Sequence, residues 1–139
     1  MTQIEHCNIT VPDIDAAITF LETAAPDFKV RKDARPVDSY RWVHIGNEDY
    51  YIALQEPHLG SEPDKQLARY INYGLNHIAL IVPSVEEVQA RLDAAGYQRG
   101  IGTPNEKFRK RVYFYDQGGF EWEFVEYLSD QESEKFLYE

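Results

Sequence analysis

A chain of 139 residues with 43% hydrophobic and 14% aromatic side chains has apolar bulk for one packed domain, or for two small lobes, and too much for a disordered tail. Lys and Arg number 14 against 24 Asp and Glu, a formal charge of −10 that repels a phosphate backbone, so no nucleic-acid partner is expected. No run nears the ~20 apolar residues of a membrane span, Glu5 sits where a signal peptide would need a basic start, and Cys7 has no internal partner; the expectation is a soluble cytoplasmic protein without membrane contact.

The chain opens on "IEHCNITV", which alternates as a strand does until Pro12 ends it, and Asp13 or Asp15 can cap a helix through "AAITFLETAA". Three strand-like runs follow, "FKVRKD", "YRWVHIG" and "YYIALQEP", the last two joined by a turn at "GNED". Residues 58–73 read as a polar, proline-marked linker with a short helix over "PDKQLARYINY". "LNHIALIV" then starts a second strand, Pro83 breaks it, Ser84 and Glu87 fit a capping box, and Gly96 stops the helix. The runs "YQRGI", "RVYFYD" and "FEWEFVEY" complete the set, with a hairpin turn at "DQGG". The tail from 129 to 139 is acidic, either a last helical turn or frayed, with Phe136 and Leu137 available to dock on the body.

In register, His6 falls on His77 and Pro12 on Pro83, so the chain reads as a duplication: one module over 1–57, the linker, a second module over 74–128, and the tail. The fold class is α+β, two tandem βαβββ modules. Parity along each strand sends Cys7, Ile9 and Val11, then Ile78, Leu80 and Val82, and Phe120, Trp122 and Phe124 toward the helices. His6, Asn8 and Thr10, His77 and Ala79, and Glu121, Glu123 and Val125 are left for the opposite, open face. His6, His77 and Glu123, all of metal-ligand type, thus share it. Taken singly, His6 or His77 is an ordinary strand histidine and Glu123 an exposed strand glutamate like Glu121 or Glu126.

The paired "xHxxxxVP" starts, the duplicated layout and the ending "YFYDQGGFEWEFVEY" resemble the vicinal oxygen chelate superfamily, which includes glyoxalase I, extradiol dioxygenases, fosfomycin-resistance thiol transferases and bleomycin-binding proteins. The resemblance spans nearly the whole chain apart from linker and tail. It implies a cupped mixed sheet, one divalent metal ion (Fe, Mn, Ni or Zn) and a homodimer, whose modules pair within one chain or exchange between chains. Residue by residue it carries His6, His77 and Glu123 over as ligands. The fourth family position falls on Ala53, which has no donor; Gln55 is a neutral substitute, and Glu56 one only if the register slips. Three ligands leave octahedral positions open, as in Fe(II) oxygenases.

On the face implied for the substrate, Asn8, Gln55 and Arg111 are candidate contacts, Arg111 for an anionic oxygen, and Tyr113 is a candidate proton relay or simply a ring closing the edge. His44 and His58 lack repeat partners and read as surface or supporting residues, while Cys7 reads as a buried small side chain. The "KFRKR" cluster reads first as the solvated start of a strand, then as an anchor for an anionic small molecule. No glycine-rich phosphate loop, G-x-S-x-G elbow or CxxC pair is present. The resemblance therefore implies a metal-dependent dioxygenase or glyoxalase-like lyase acting on a small molecule. Its rivals are a thiol transferase of the fosfomycin type, a protein that sequesters a drug or metabolite without chemistry, and a relative with only solvent in its cup.

Overall fold

The computed structural model describes residues 1–63 and 68–137. The chain divides into two compact units, Met1–Ala68 and Arg69–Glu139. Among the described residues no helix is long and apolar enough to cross a membrane.

The first unit runs β1 (His6–Thr10), α1 (Ile14–Ala24), β2 (Lys29–Ala34), β3 (Trp42–Gly46) and β4 (Tyr51–Gln55). Its sheet has the order β1-β4-β3-β2, with β1 parallel to β4 and the other pairs antiparallel. The ladder of β1 ends where Val11 donates to the Gln55 carbonyl, because Pro12 has no N–H to continue it. Asp13, rather than Asp15, caps α1 by accepting from the Ala16 amide at 3.0 Å. The helix buries Ile14, Ala17, Phe20, Leu21 and Ala24 at helical spacing, and it packs on β3 and β4, whose Val43, Ile45, Ile52 and Leu54 are buried in turn. Full burial of Phe20 or Leu21 contributes about 1.5–3 kcal/mol each. The hairpin after β3 is tight enough that a Cβ on Gly46 would lie 1.9 Å from the Tyr50 carbonyl oxygen. Asn47 holds that turn by accepting from the amides of Asp49 and Tyr50, both at 3.0 Å.

The second unit runs β5 (His77–Ile81), α2 (Val85–Ala94), β6 (Arg109–Tyr115), β7 (Glu121–Tyr127) and the single-turn α3 (Glu132–Lys135). Its sheet order is β5-β7-β6, with β5 parallel to β7. Ser84 caps α2 by accepting from Glu87, and the helix closes with Gly96 at φ +82°, where Tyr97 donates to Leu92 and Gly96 to Asp93. Val85, Val88 and Leu92 face β6 and β7, where Phe114, Trp122 and Phe124 are fully buried. At the β6–β7 turn the buried Asp116 accepts from the Phe120 amide at 2.9 Å and the Trp122 indole at 3.0 Å, and burial pushes its carboxyl above the ordinary value.

Three expectations are corrected. The strand anticipated over 97–101 shrinks to a bridge between Arg99 and Phe114, flanked by bonds from Gly100 to Tyr113 and from Tyr115 to Gln98. Gly100 lies so close to β6 that a Cβ would be 2.7 Å from that of Tyr113, and Gly102 and Pro104 supply neither strand propensity nor a full set of donors. The linker helix is not formed where it can be followed: residues 64–67 lie outside the described residues, and 69–74 are turns and bends, with Tyr70 at φ +64°. Phe136 and Leu137 are exposed rather than docked.

Candidate functional site

On the open face of the second unit, β5 sets His77 on the rung of Glu121 and Ala79 on the rung of Glu123. His77 and Glu123 are therefore diagonal neighbours on one face, and their side chains meet with His77 Nε2 3.0 Å from Glu123 Oε2. Glu123 is buried. The other nitrogen, His77 Nδ1, lies 3.0 Å from the Tyr70 hydroxyl and 4.0 Å from Glu121 Oε1. That hydroxyl donates to Glu121 Oε1 in a very short contact, and the Tyr70 amide is tied to the Asn76 side chain at 2.7 Å. More than half of Tyr70 is exposed, yet withdrawal of its hydroxyl end from water, with Glu121 beside it, raises its pKa.

β6 contributes Tyr113 on the rung of Glu123, with its ring edge-on to His77 at 5.3 Å. Burial first, and the Glu123 carboxylate second, hold the Tyr113 hydroxyl above its ordinary pKa. Arg111 reaches the Tyr113 hydroxyl at 3.4 Å and Glu123 at 3.5 Å, but its main partner is Glu106, 2.8 Å from Nε. Glu106 also holds Arg109 at 2.7 Å, and Lys110 pairs with Glu86 at 2.5 Å, so these members of the basic cluster at the start of β6 are ion-paired within the unit.

The open face of the first unit has the same backbone frame and other chemistry. His6 stands on the rung of Tyr51, Asn8 on that of Ala53 and Thr10 on that of Gln55. Ala53 thus occupies the place that Glu123 takes in the second unit. The regular register of β1 with β4 gives no slip that would turn Glu56 inward, and Glu56 is held by Arg35 at 2.6 and 2.8 Å and by the Arg41 amide at 3.2 Å. His44, on β3 opposite Ala53, matches Tyr113. Rings cover this face: His6 stacks on Tyr51 at 4.9 Å, His44 lies 4.7 Å from Tyr51 and Trp42 4.9 Å from His44. His6 Nδ1 is in very short contact with Glu5 Oε2 and 3.1 Å from the Tyr51 hydroxyl, which itself donates to Glu5 at 2.9 Å. Asn8 is exposed and Gln55 half-buried. His58 stacks on Tyr40 at 4.4 Å, and Cys7 is half-buried.

Neither unit by itself, among the described residues, gathers three His, Cys, Asp or Glu side chains at a point that could hold a metal ion. The second unit does bring two donors together. A neutral imidazole nitrogen and a carboxylate at hydrogen-bonding distance suit a divalent cation of the Mn, Fe, Ni or Zn group. Sequence reasoning missed Tyr70 and Glu106 as partners of these side chains. Parity did place Glu121 on this face, but as a bland solvated residue, whereas it is buried.

A family model described as "Glyoxalase/Bleomycin resistance protein/Dioxygenase superfamily" matches residues 3–124. Comparison with curated proteins finds no match. Among solved structures the chain is similar to a glyoxalase family protein from Bacillus cereus, at 17% identity and TM-score 0.75, covering 93% of this chain and 96% of that one. It is similar to a glyoxylase/bleomycin resistance protein/dioxygenase domain from Frankia sp. EAN1pec, at 21% identity and TM-score 0.74, covering 99% of both chains. A third is the fosfomycin resistance protein FosX from Listeria monocytogenes complexed with Mn(II) and sulfate, at 18% identity and TM-score 0.69, covering 99% of both chains. These identities carry the fold, and the glyoxalase-like α+β architecture agrees with the elements described above.

Proposed function

The chain belongs to the glyoxalase/bleomycin resistance protein/dioxygenase superfamily, and from that membership we propose that it is a metal-dependent enzyme acting on a small organic molecule, with His6, His77 and Glu123 as the protein ligands of one divalent ion. The observation that carries the reading is the pairing of His77 Nε2 with Glu123 Oε2 at 3.0 Å. Burial of a carboxylate costs several kcal/mol; the one cation beside Glu123 among the described residues, Arg111 at 3.5 Å, is held mainly by Glu106, and a neutral imidazole nitrogen bearing its lone pair gives no further relief. A divalent ion satisfies both donors at once. His6, duplicated from His77 and likewise held through Nδ1, supplies the third donor, from the same chain or from a second copy that exchanges modules with it.

When bound, the ion supplies Lewis acidity toward neighbouring oxygens of the substrate. The chain's own residues do the rest. Tyr113, protonated and beside Glu123, hands a proton to or receives one from a substrate oxygen; Asn8 and Gln55 offer neutral hydrogen bonds; Arg111, shared with Glu106, steadies Glu123 more than it serves as a free anion site. Iron would favour dioxygenase chemistry, and Mn, Ni or Zn would favour lyase, isomerase or thiol-transfer chemistry. Cytoplasmic residence and a homodimer belong to the same reading.

Elemental analysis of untagged protein tests it. About one ion per chain is expected, with loss of the ion in His77→Ala and turnover of a catechol, a thiol hemiacetal or fosfomycin by the loaded protein. Ion-free protein that binds an aromatic ligand and turns over none of these would replace the enzyme by a sequestering protein.

A further inference from the structure

At Nδ1 both histidines meet a tyrosine hydroxyl that donates to a carboxylate, supplied by residues that the duplication does not match; in the first unit the carboxylate also touches the ring directly. In the second unit the tyrosine comes from the loop before β5 and the carboxylate from β7, as Tyr70 and Glu121. In the first unit the tyrosine comes from β4 and the carboxylate from the residue before β1, as Tyr51 and Glu5. Tyr51 and Glu121 stand on equivalent rungs, opposite His6 and His77, so the two units reach the same tyrosine-to-carboxylate link with the residue types exchanged. A contact inherited passively from the duplication would keep the types in place.

A tyrosine hydroxyl has one proton. Where that proton is given to a carboxylate, the oxygen has only lone pairs left for the imidazole, and Nδ1 must be the nitrogen that carries hydrogen. In a neutral ring its partner Nε2 then presents a lone pair. In the second unit Nε2 lies 3.0 Å from Glu123 Oε2, so with the ring neutral two acceptors face each other with no proton between them.

We propose that Tyr70, locked as a donor to Glu121, is a positioning residue that keeps the proton of neutral His77 on Nδ1 and so holds Nε2 ready for a cation. The inference rests on the metal-binding reading for its purpose, but its central measurement needs no metal. Without Tyr70 the imidazole proton is free to move to Nε2 and bond Glu123, which closes the very pair that a cation requires. The left-handed backbone of Tyr70 and the bond from its amide to Asn76 aim the hydroxyl from the loop.

The experiment is imidazole ¹⁵N NMR on chelator-treated full-length protein at pH about 9, above the ordinary histidine range. The wild type is expected to show His77 with hydrogen on Nδ1, and Tyr70→Phe to show it on Nε2, while the His6 signals stay in place and report that the fold is intact. Glu121→Gln, whose amide no longer obliges the hydroxyl to donate, is expected to shift the same population in part, and it serves if Tyr70→Phe does not fold. Titration with Mn(II) should then give a dissociation constant about 10–100-fold weaker in Tyr70→Phe. Hydrogen on Nε2 of His77 in the wild type, or on Nδ1 in both variants, overturns the proposal. Correct tautomers in a wild type that takes up no Mn(II) would sink the metal reading alone.

Discussion

The open faces of the two units share a frame, and the rung that changes its chemistry most holds Ala53 in the first and Glu123 in the second. Around Ala53 the rings of His6, Tyr51, His44 and Trp42 touch one another, whereas around Glu123 the contacts are charged, with His77, Tyr113, Arg111 and Glu106. A duplicated fold has therefore been given an uneven division of labour. One half concentrates acidic side chains, and the other sets His6 and His44 among aromatic rings. With Ala53 in that place, the first unit has no counterpart of the Glu123 carboxylate.

The sharpest way to break the contrast is Ala53→Glu. Ala53 is 3% exposed, so the new carboxylate would be buried, and metal-free protein should lose about 3 kcal/mol, read as a lowered urea midpoint. A loss well under 1 kcal/mol would mean that His44, directly opposite on β3, pairs with the acid and that the two faces are interchangeable. A smaller effect tests whether the halves are equivalent at their helix starts. Asp13→Ala and Ser84→Ala each remove one capping bond and should each cost about 1 kcal/mol in the same assay.

Smallest of all is a difference in pH response at the two hairpin turns, where neutral Asn47 in the first unit matches buried Asp116 in the second. The folded Asp116 carboxyl keeps its proton to higher pH than the unfolded one, whose value is 3.8. The native state binds the extra proton, so this group's contribution to stability is full below the unfolded value and falls as pH climbs from there through the raised folded one. Asp116→Asn should flatten that part of the slope, measured as urea midpoints over a series from pH about 3.5 to 7.

Much of this was legible in the chain itself because strand parity and capping are local. The alternation in "IEHCNITV" already separated His6 and Asn8 from Cys7 and Ile9, and Ser84 and Gly96 announced both ends of α2. What stayed hidden was set by distant partners. Nothing near Tyr70 in sequence shows that its hydroxyl will meet Glu121, and no periodicity distinguishes a buried Glu121 from an exposed one. Arg111 looked available for an anion until Glu106, in an irregular segment without a period of its own, was found beside it. The lost strand at 97–101 had its signal in Gly100, whose effect depends on how near β6 comes.

The parallel pairing of β5 with β7 bears on the order in which the protein assembles. These strands are joined only after the chain has run through α2 and the whole of β6, so His77 and Glu123 come together by a long loop closure instead of in an early local hairpin. A cation captured by that pair would be recruited by a finished second unit; it would act as a late lock on the native state, slowing its unfolding more than it hastens its formation.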